Sequence, residues 1–230
     1  MKFESPLQSG RLIKRYKRFL ADVELDNGEV ITAHCANPGS MMGLLPENAL
    51  VWLSPNTNPK AKLPYRWELV EAEGTLVGIN TAHPNRIVEN AIADGKIKEL
   101  QGYTSMRREV KYGENSRIDL LLEDPGLCYV EVKNVTLKRG EAAQFPDGVT
   151  ARGAKHLREL GEMVQNGHRA VMVFLVQRSD CEYLSLAKDI DPAYAKAMDI
   201  AKAQGVEVIA YWCKVSPQEI MLTDALPLRI

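Results

Sequence analysis

The stretch SRIDLLLEDPGLCYVEVKN, residues 116–134, restricts the fold more than any other part of the chain. Two short apolar runs flank Asp124-Pro125-Gly126, a turn with Pro where φ is fixed and Gly where a positive φ is wanted. The segment therefore predicts an antiparallel β-hairpin. If the loop is those three residues, Glu123 pairs with Leu127, and counting back sets Asp119 opposite Glu131. Directly opposed side chains have Cβ atoms about 5 Å apart. Lys133 lies two residues beyond Glu131 and so shares its face of the strand.

Two carboxylates facing each other across a hairpin repel. A divalent cation such as Mg²⁺, which takes carboxylate oxygens and keeps waters for the rest of its shell, would remove that cost. The same pattern also describes the solvated face of a sheet, with Lys133 neutralising its neighbours. Leu120, Leu122, Val130 and Val132 supply an apolar opposite face under either reading.

Around this hairpin the chain changes character near residue 82. Before it, FLADVEL (19–25) alternates as a half-buried strand, DNGE makes a turn, and VITAHCA pairs back. Further strands are expected at ALVWLS (49–54), YRWELVEAE (65–73) and LVGIN (76–80), separated by NPGS, SPNTNP and EGT. Five short strands in about 80 residues suggest a small closed barrel, because closure removes exposed edges.

After it, NRIVENAIADGK (85–96) has helical spacing with Asn85 as a candidate cap. Strands at RREVKY, RIDLLL and CYVEVK follow. A helix then begins near Thr150 with the stripe Ala154, Leu157, Leu160, Val164 and stops at Gly167. AVMVFLV (170–176) reads as a strand buried on both faces. A second helix follows, capped by Asp191 with Pro192 in its first turn, and VEVIAYW is expected as the last strand. The fold class is thus all-β followed by mixed α/β, in two domains, 1–82 and 83–230.

Composition excludes several classes. With 45% apolar residues among 230, the chain can build a core. The net charge of −1 gives no global basic field, although a local basic groove suffices to track phosphates. Cys35, Cys128, Cys181 and Cys213 are widely spaced, which argues against zinc and a disulfide framework. The N-terminus has no apolar leader, and the longest apolar run is too short to span a bilayer. A cytoplasmic protein with no membrane partner is the expectation.

Three places suggest nucleic-acid contact. RLIKRYKR (11–18) holds Arg11, Lys14, Arg15, Lys17 and Arg18 around Tyr16, a composition suited to phosphates and stacked bases, and equally that of a solvated strand. Tyr65 and Trp67 alternate with Arg66 and offer stacking surfaces, with core filling as the competing role for Trp67. On the helix after Thr150, Arg152, Lys155, His156 and Glu159 share one face opposite the apolar stripe. There His156 is either a general acid or base or a solvated surface residue.

The D…ExK hairpin, behind an acid-bearing helix and ahead of a helix and strand, resembles the PD-(D/E)XK nuclease superfamily. More closely, RYKRFLADVEL, HCANPGSM, EVKYGENSRIDLLL, YVEVKNVTL, FPDGVTARGAKHLREL and GVEVIAY resemble the sugar fermentation stimulation protein family, from Arg15 to Tyr211. HCANPGSM departs from that family's usual HCPNTG at Ala36 and Pro38.

The resemblance implies an N-terminal OB-fold, a small β-barrel, followed by a mixed α/β PD-(D/E)XK nuclease-like domain. It implies catalytic positions at Asp119, Glu131 and Lys133, with Glu89 as the preceding helix acid. Asp119 and Glu131 would be the metal ligands, for Mg²⁺ or Mn²⁺. It also implies a DNA-binding protein tied to the regulation of sugar use. Two activities follow: metal-dependent phosphodiester hydrolysis without strong sequence specificity, or a non-catalytic DNA-binding regulator of sugar (maltose-type) fermentation genes. An enzyme acting on a small phosphorylated sugar is disfavoured, because no Gly-rich phosphate loop is present. Single- or double-stranded DNA, RNA as a second partner, and a dimer are all compatible with the sequence.

Overall fold

A computed structural model describes residues 1–57 and 60–230; the last two positions of the SPNTNP turn signal lie outside the described residues. Six strands come first: β1 (Gln8–Tyr16), β2 (Leu20–Leu25), β3 (Val30–Cys35), β4 (Leu50–Pro55), β5 (Tyr65–Ala72) and β6 (Thr75–Gly78). They run in the order β3-β2-β1-β4-β5-β6, and a parallel β3–β5 pairing closes the first five into a barrel. The ring differs from the expected five strands. It includes β1, the basic segment, whereas β6 lies outside it. Alternation drives the core: Ala21, Val23 and Leu25 of β2 point inward, with Val51, Leu53 and Trp67. Trp67 is fully buried and donates Nε1–H to the Leu69 carbonyl, so it fills the core and stacks no base.

The second half comprises α1 (Pro84–Ala93), β7 (Ser105–Tyr112), β8 (Ser116–Glu123), β9 (Leu127–Val135), β10 (Leu137–Arg139), β11 (Ala142–Phe145), α2 (Ala151–Gln165), β12 (Arg169–Val176), β13 (Tyr183–Leu186), α3 (Pro192–Ala203), β14 (Glu207–Val215), β15 (Ile220–Ala225) and β16 (Leu228–Arg229). One six-stranded sheet has the order β15-β14-β12-β9-β8-β7, and β10-β11-β13-β16 form a small second sheet. VEVIAYW is therefore not the last strand. β12 is the centre of the main sheet, parallel to β9 and β14, and all but its first residue are buried, as its unbroken apolar run requires.

Helix α1 covers one face of this sheet, packing Ile87, Val88 and Ala91 with Leu120, Val130 and Val173. Helices α2 and α3 cover the other, packing Leu157, Leu160 and Met198 with Leu121, Met172 and Phe174. The caps of α2 and α3 are as the sequence predicts: the Thr150 hydroxyl accepts from Gly153 N–H at 3.0 Å, and the Asp191 carboxylate from Tyr194 N–H at 2.9 Å. The cap of α1 is not. His83 takes the cap position, Pro84 opens the helix, and Asn85 lies inside the first turn.

Among the described residues, no helix is long and apolar enough to cross a membrane.

Candidate active site

The β8–β9 hairpin has the expected register, with Glu123 paired to Leu127 and Leu120 to Val130. The ladder stops there, one pair short of Asp119 and Glu131. Instead of sitting squarely opposite Glu131, Asp119 reaches across and accepts the Val132 N–H through Oδ2 at 2.8 Å. Strict alternation would put Ile118 with Leu120 and Leu122. Here Ile118 belongs to the α2–α3 side and Leu120 to the α1 side, so β8 changes sides across Asp119. Glu109, between the β7 residues that pair with Leu120 and Ile118, has a φ of 54°. Irregularities of this kind re-aim a side chain beside a site.

The other oxygen of Asp119 accepts from the Asn85 amide at 2.8 Å. Asn85, expected as a cap, thus holds the site acid from the first turn of α1. Glu89, one turn further on, makes no such contact; it pairs with Arg108 at 3.5 Å. The signal that could have found Asn85 is its spacing of four residues before Glu89, which sets both on one helix face.

Glu131 is 2% exposed, which excludes the solvated-face reading of the hairpin. Its Oε1 accepts from Lys133 Nζ at 2.6 Å and from His156 Nδ1. Arg152 donates Nε–H to His156 Nε2 at 3.3 Å. His156 therefore carries its proton on Nδ1 and accepts at Nε2. The polar face of α2 is turned onto the sheet, and His156 and Glu159 are both buried. The physical reason is that the apolar stripe packs against α3 and β12 while the adjacent face packs over β9 and the β7–β8 turn. There Glu159 accepts from Glu114 N–H at 3.2 Å. Arg152 stays exposed and Lys155 half-buried, so these two alone keep the predicted outward position.

The two carboxylates ionise differently. Burial and the neighbouring Glu131 push Asp119 up to about 6, against the pull of its hydrogen bonds and Lys133. Burial also opposes ionisation of Glu131, but Lys133 and the His156 hydrogen bond outweigh it and hold Glu131 below the usual carboxylate range. Glu131 Oε2 is buried with no hydrogen-bond partner.

These groups bear directly on metal binding. Among the described residues, no three His, Cys, Asp or Glu side chains gather as a ready metal site. Mg²⁺ needs only one or two carboxylates, with waters completing its shell. An unpartnered buried carboxylate oxygen on Glu131 and a repelled carboxylate at Asp119 fit such an ion, so the residues present are compatible with it.

The basic segment is dispersed on the barrel. Lys14 pairs with Asp22 at 3.5 Å, and the Tyr16 hydroxyl donates to Asp22 at 3.1 Å. Arg11 donates to the Asn48 carbonyl at 3.3 Å. Arg15 donates to the carbonyls of Asn37 and Gly39 at 2.8 and 2.9 Å, holding the HCANPGSM loop. Lys17 and Arg18 form the turn into β2 and are exposed.

These features define a two-domain protein in which an OB barrel precedes an α/β domain built on a charged, buried β-hairpin. Residues 13–79 match the model of the SfsA N-terminal OB domain, and residues 82–219 that of the sugar fermentation stimulation protein RE domain. The chain belongs to the sugar fermentation stimulation protein (SfsA) family. It is 60% identical to the sugar fermentation stimulation protein homolog of Maricaulis maris, covering 100% of this chain and 98% of that one. The homolog of Rhodospirillum centenum is 58% identical, with 99% of each covered. A solved structure of Pyrococcus furiosus SfsA, described as in complex with Ca²⁺, superposes with a TM-score of 0.92 at 28% identity, covering 100% of this chain and 98% of that one.

Proposed function

We propose that this protein binds DNA and hydrolyses its phosphodiester bonds with the help of Mg²⁺ or Mn²⁺ held by Asp119 and Glu131. The observation that carries the reading is the pair of unlike carboxylates: one pushed up by burial and repulsion, the other ionised with a buried, unpartnered oxygen. A cation bound there would polarise the phosphoryl group and lower the pKa of a bound water. The Ca²⁺ described in the Pyrococcus furiosus relative supports a hard, oxygen-seeking cation in this family.

The rest follows from the chain's own groups. Lys133, whose side chain is 14% exposed, gives one N–H to Glu131 and has two more to donate to a phosphoryl oxygen or the attacking water. Asn85 and Val132 N–H fix Asp119 from two directions. His156 and Lys133 fix Glu131. Glu89 acts one layer out, through its pair with Arg108. Membership in a family with an N-terminal OB domain supports DNA as the partner, with Lys14, Lys17 and Arg18 as exposed phosphate contacts. Arg11, Arg15 and Tyr16 are committed to the barrel, and Arg152 and Lys155 flank the hairpin from α2.

The test is incubation with single- and double-stranded DNA, with and without Mg²⁺ or Mn²⁺, beside Asp119→Asn. Cleavage that needs the metal and disappears in the variant is expected. Binding without cleavage under every condition overturns the catalytic reading in favour of a DNA-binding regulator.

A further inference from the structure

The HCANPGSM loop has no part in the site above, yet it is held with unusual care. Its Ser40 donates to the Asp147 carbonyl at 2.5 Å, and Met41 N–H donates to Asp147 Oδ2 at 3.0 Å. A Cβ at Gly39 would lie 2.9 Å from the same carboxylate, so the approach needs glycine. Arg15 fixes the loop from behind. Two motifs from different domains, HCANPGSM and FPDGVT, are thereby clasped together.

Between them is a cavity of about 190 Å³, lined by Pro38, Thr81, Asn134, Thr136, Gln144 and Phe145 among others. Its chemistry is specific. Asn134 accepts from Gln177 Nε2 at 2.6 Å, and among the described residues its own NH₂ group has no acceptor. The Thr136 hydroxyl likewise has no partner among the described residues. Gln144 donates to Ser185 Oγ at 3.1 Å, and its Oε1 is buried with no donor. Such an orphaned acceptor is costly and calls for a donor.

Donors and an acceptor between a proline and an aromatic ring suit a flat, neutral ring with a hydrogen-bonding edge. They do not suit a phosphate: the one charged lining residue, Asp147, is anionic and bound to the loop. Cations are found next door. A groove sharing Pro38, Gly39, Phe145 and Asp147 with the cavity is bordered by Arg15 and Arg18. Asn134 directly follows Lys133 on β9.

We propose that single-stranded DNA runs along the domain junction, with its phosphates toward Arg18 and one unstacked base seated among Asn134, Thr136 and Gln144. This rests on the DNA-binding reading above and adds the substrate form. Extruded bases are read in this way, by hydrogen bonds to an edge and stacking on flat walls.

The test measures fluorescence-anisotropy titrations without Mg²⁺ or Mn²⁺, using a short mixed-sequence strand and the same strand made wholly abasic. The wild type should bind the base-bearing strand at least about tenfold more tightly. Gln144→Leu should lose most of that ratio while binding the abasic strand as the wild type does. Thr136→Val, nearly isosteric, repeats the comparison if Gln144→Leu fails to fold. A variant that weakens both strands equally, or neither, overturns the base pocket and leaves DNA binding standing. A free nucleoside that binds as tightly as the strand also overturns it, because the cavity is then a small-molecule site. Absence of binding to either strand overturns this inference; if a duplex of the same sequence also fails to bind, the DNA-binding reading falls with it.

Discussion

The β8–β9 hairpin and strand β1 are both dense in charge, and they handle it in opposite ways. On β1, Lys14 is 63% exposed on its side chain and its pair with Asp22 is wet. Water already solvates these groups, so pairing adds little, and the segment can exchange partners cheaply. On the hairpin, Glu131 is 3% exposed on its side chain and Lys133 14%, and each depends on the other. Removing either would leave a buried charge uncompensated. Exposed charge gives reach and long-range attraction. Buried charge gives a fixed geometry in which burial and Glu131 raise the pKa of Asp119 while Lys133 and His156 lower that of Glu131.

The largest expected effect tests this contrast through stability. Glu131→Ala should destabilise the protein by about 3–5 kcal/mol, because Lys133 then stays buried without its partner. Lys14→Ala should change it by less than about 1 kcal/mol. Urea denaturation of both variants measures the difference. Comparable losses would erase the distinction between the two regions.

A second prediction concerns Asp119 in the metal-free protein. Its folded value of about 6 lies above the ordinary 3.8, so between these pH values the folded state binds more protons than the unfolded chain. This group therefore takes stability away as pH rises through that window. Asp119→Asn removes the effect, and Asn85 can turn its amide to keep the contact. The variant's stability relative to wild type should rise by about 2 kcal/mol between pH 4 and pH 7. Urea midpoints across that range would show it. A constant difference would mean that Asp119 is not held near Glu131 in the way described.

The hairpin was legible in the sequence because Asp124-Pro125-Gly126 sets the pairing and period-2 alternation sets the faces. The irregularity at Asp119 was not, since it arises where β8 parts from β9 and stays paired with β7 alone, and a local pattern does not carry where a ladder ends. Thr150, Asp191 and Pro192 announced their helices through local chemistry that tertiary packing does not alter. Asn85 misled for the opposite reason: Pro84 already opens α1, which freed the asparagine for a long-range partner. The short strands β10, β11, β13 and β16 carry too few residues for a pattern. Helical spacing showed that Arg152, His156 and Glu159 share a face, but not that β9 and the β7–β8 turn cover it. Lone charges give no such information, so the sequence leaves His156 open between a catalytic and a surface role, and only its contact with Glu131 decides it.

A smaller effect is expected on β1. Replacing Lys17 and Arg18 with Ala should weaken DNA binding alike for all sequences. It should also flatten the slope of log affinity against log salt by about 0.7–0.9 for each phosphate no longer neutralised. Arg15→Ala should in addition loosen the HCANPGSM loop, which the exposed pair does not touch. Unchanged slope and affinity in the Lys17, Arg18 variant would remove this turn from the interface.

The central claim, that the buried hairpin carboxylates hold a divalent cation, is tested most directly by calorimetric titration of Mn²⁺ into the wild type and Glu131→Gln. Glutamine keeps an acceptor for Lys133 and His156, so circular dichroism should report an intact fold. The account predicts one Mn²⁺ bound per wild-type chain and binding abolished in the variant. A folded Glu131→Gln protein that binds Mn²⁺ with unchanged affinity would contradict it, because the cation would then lie elsewhere.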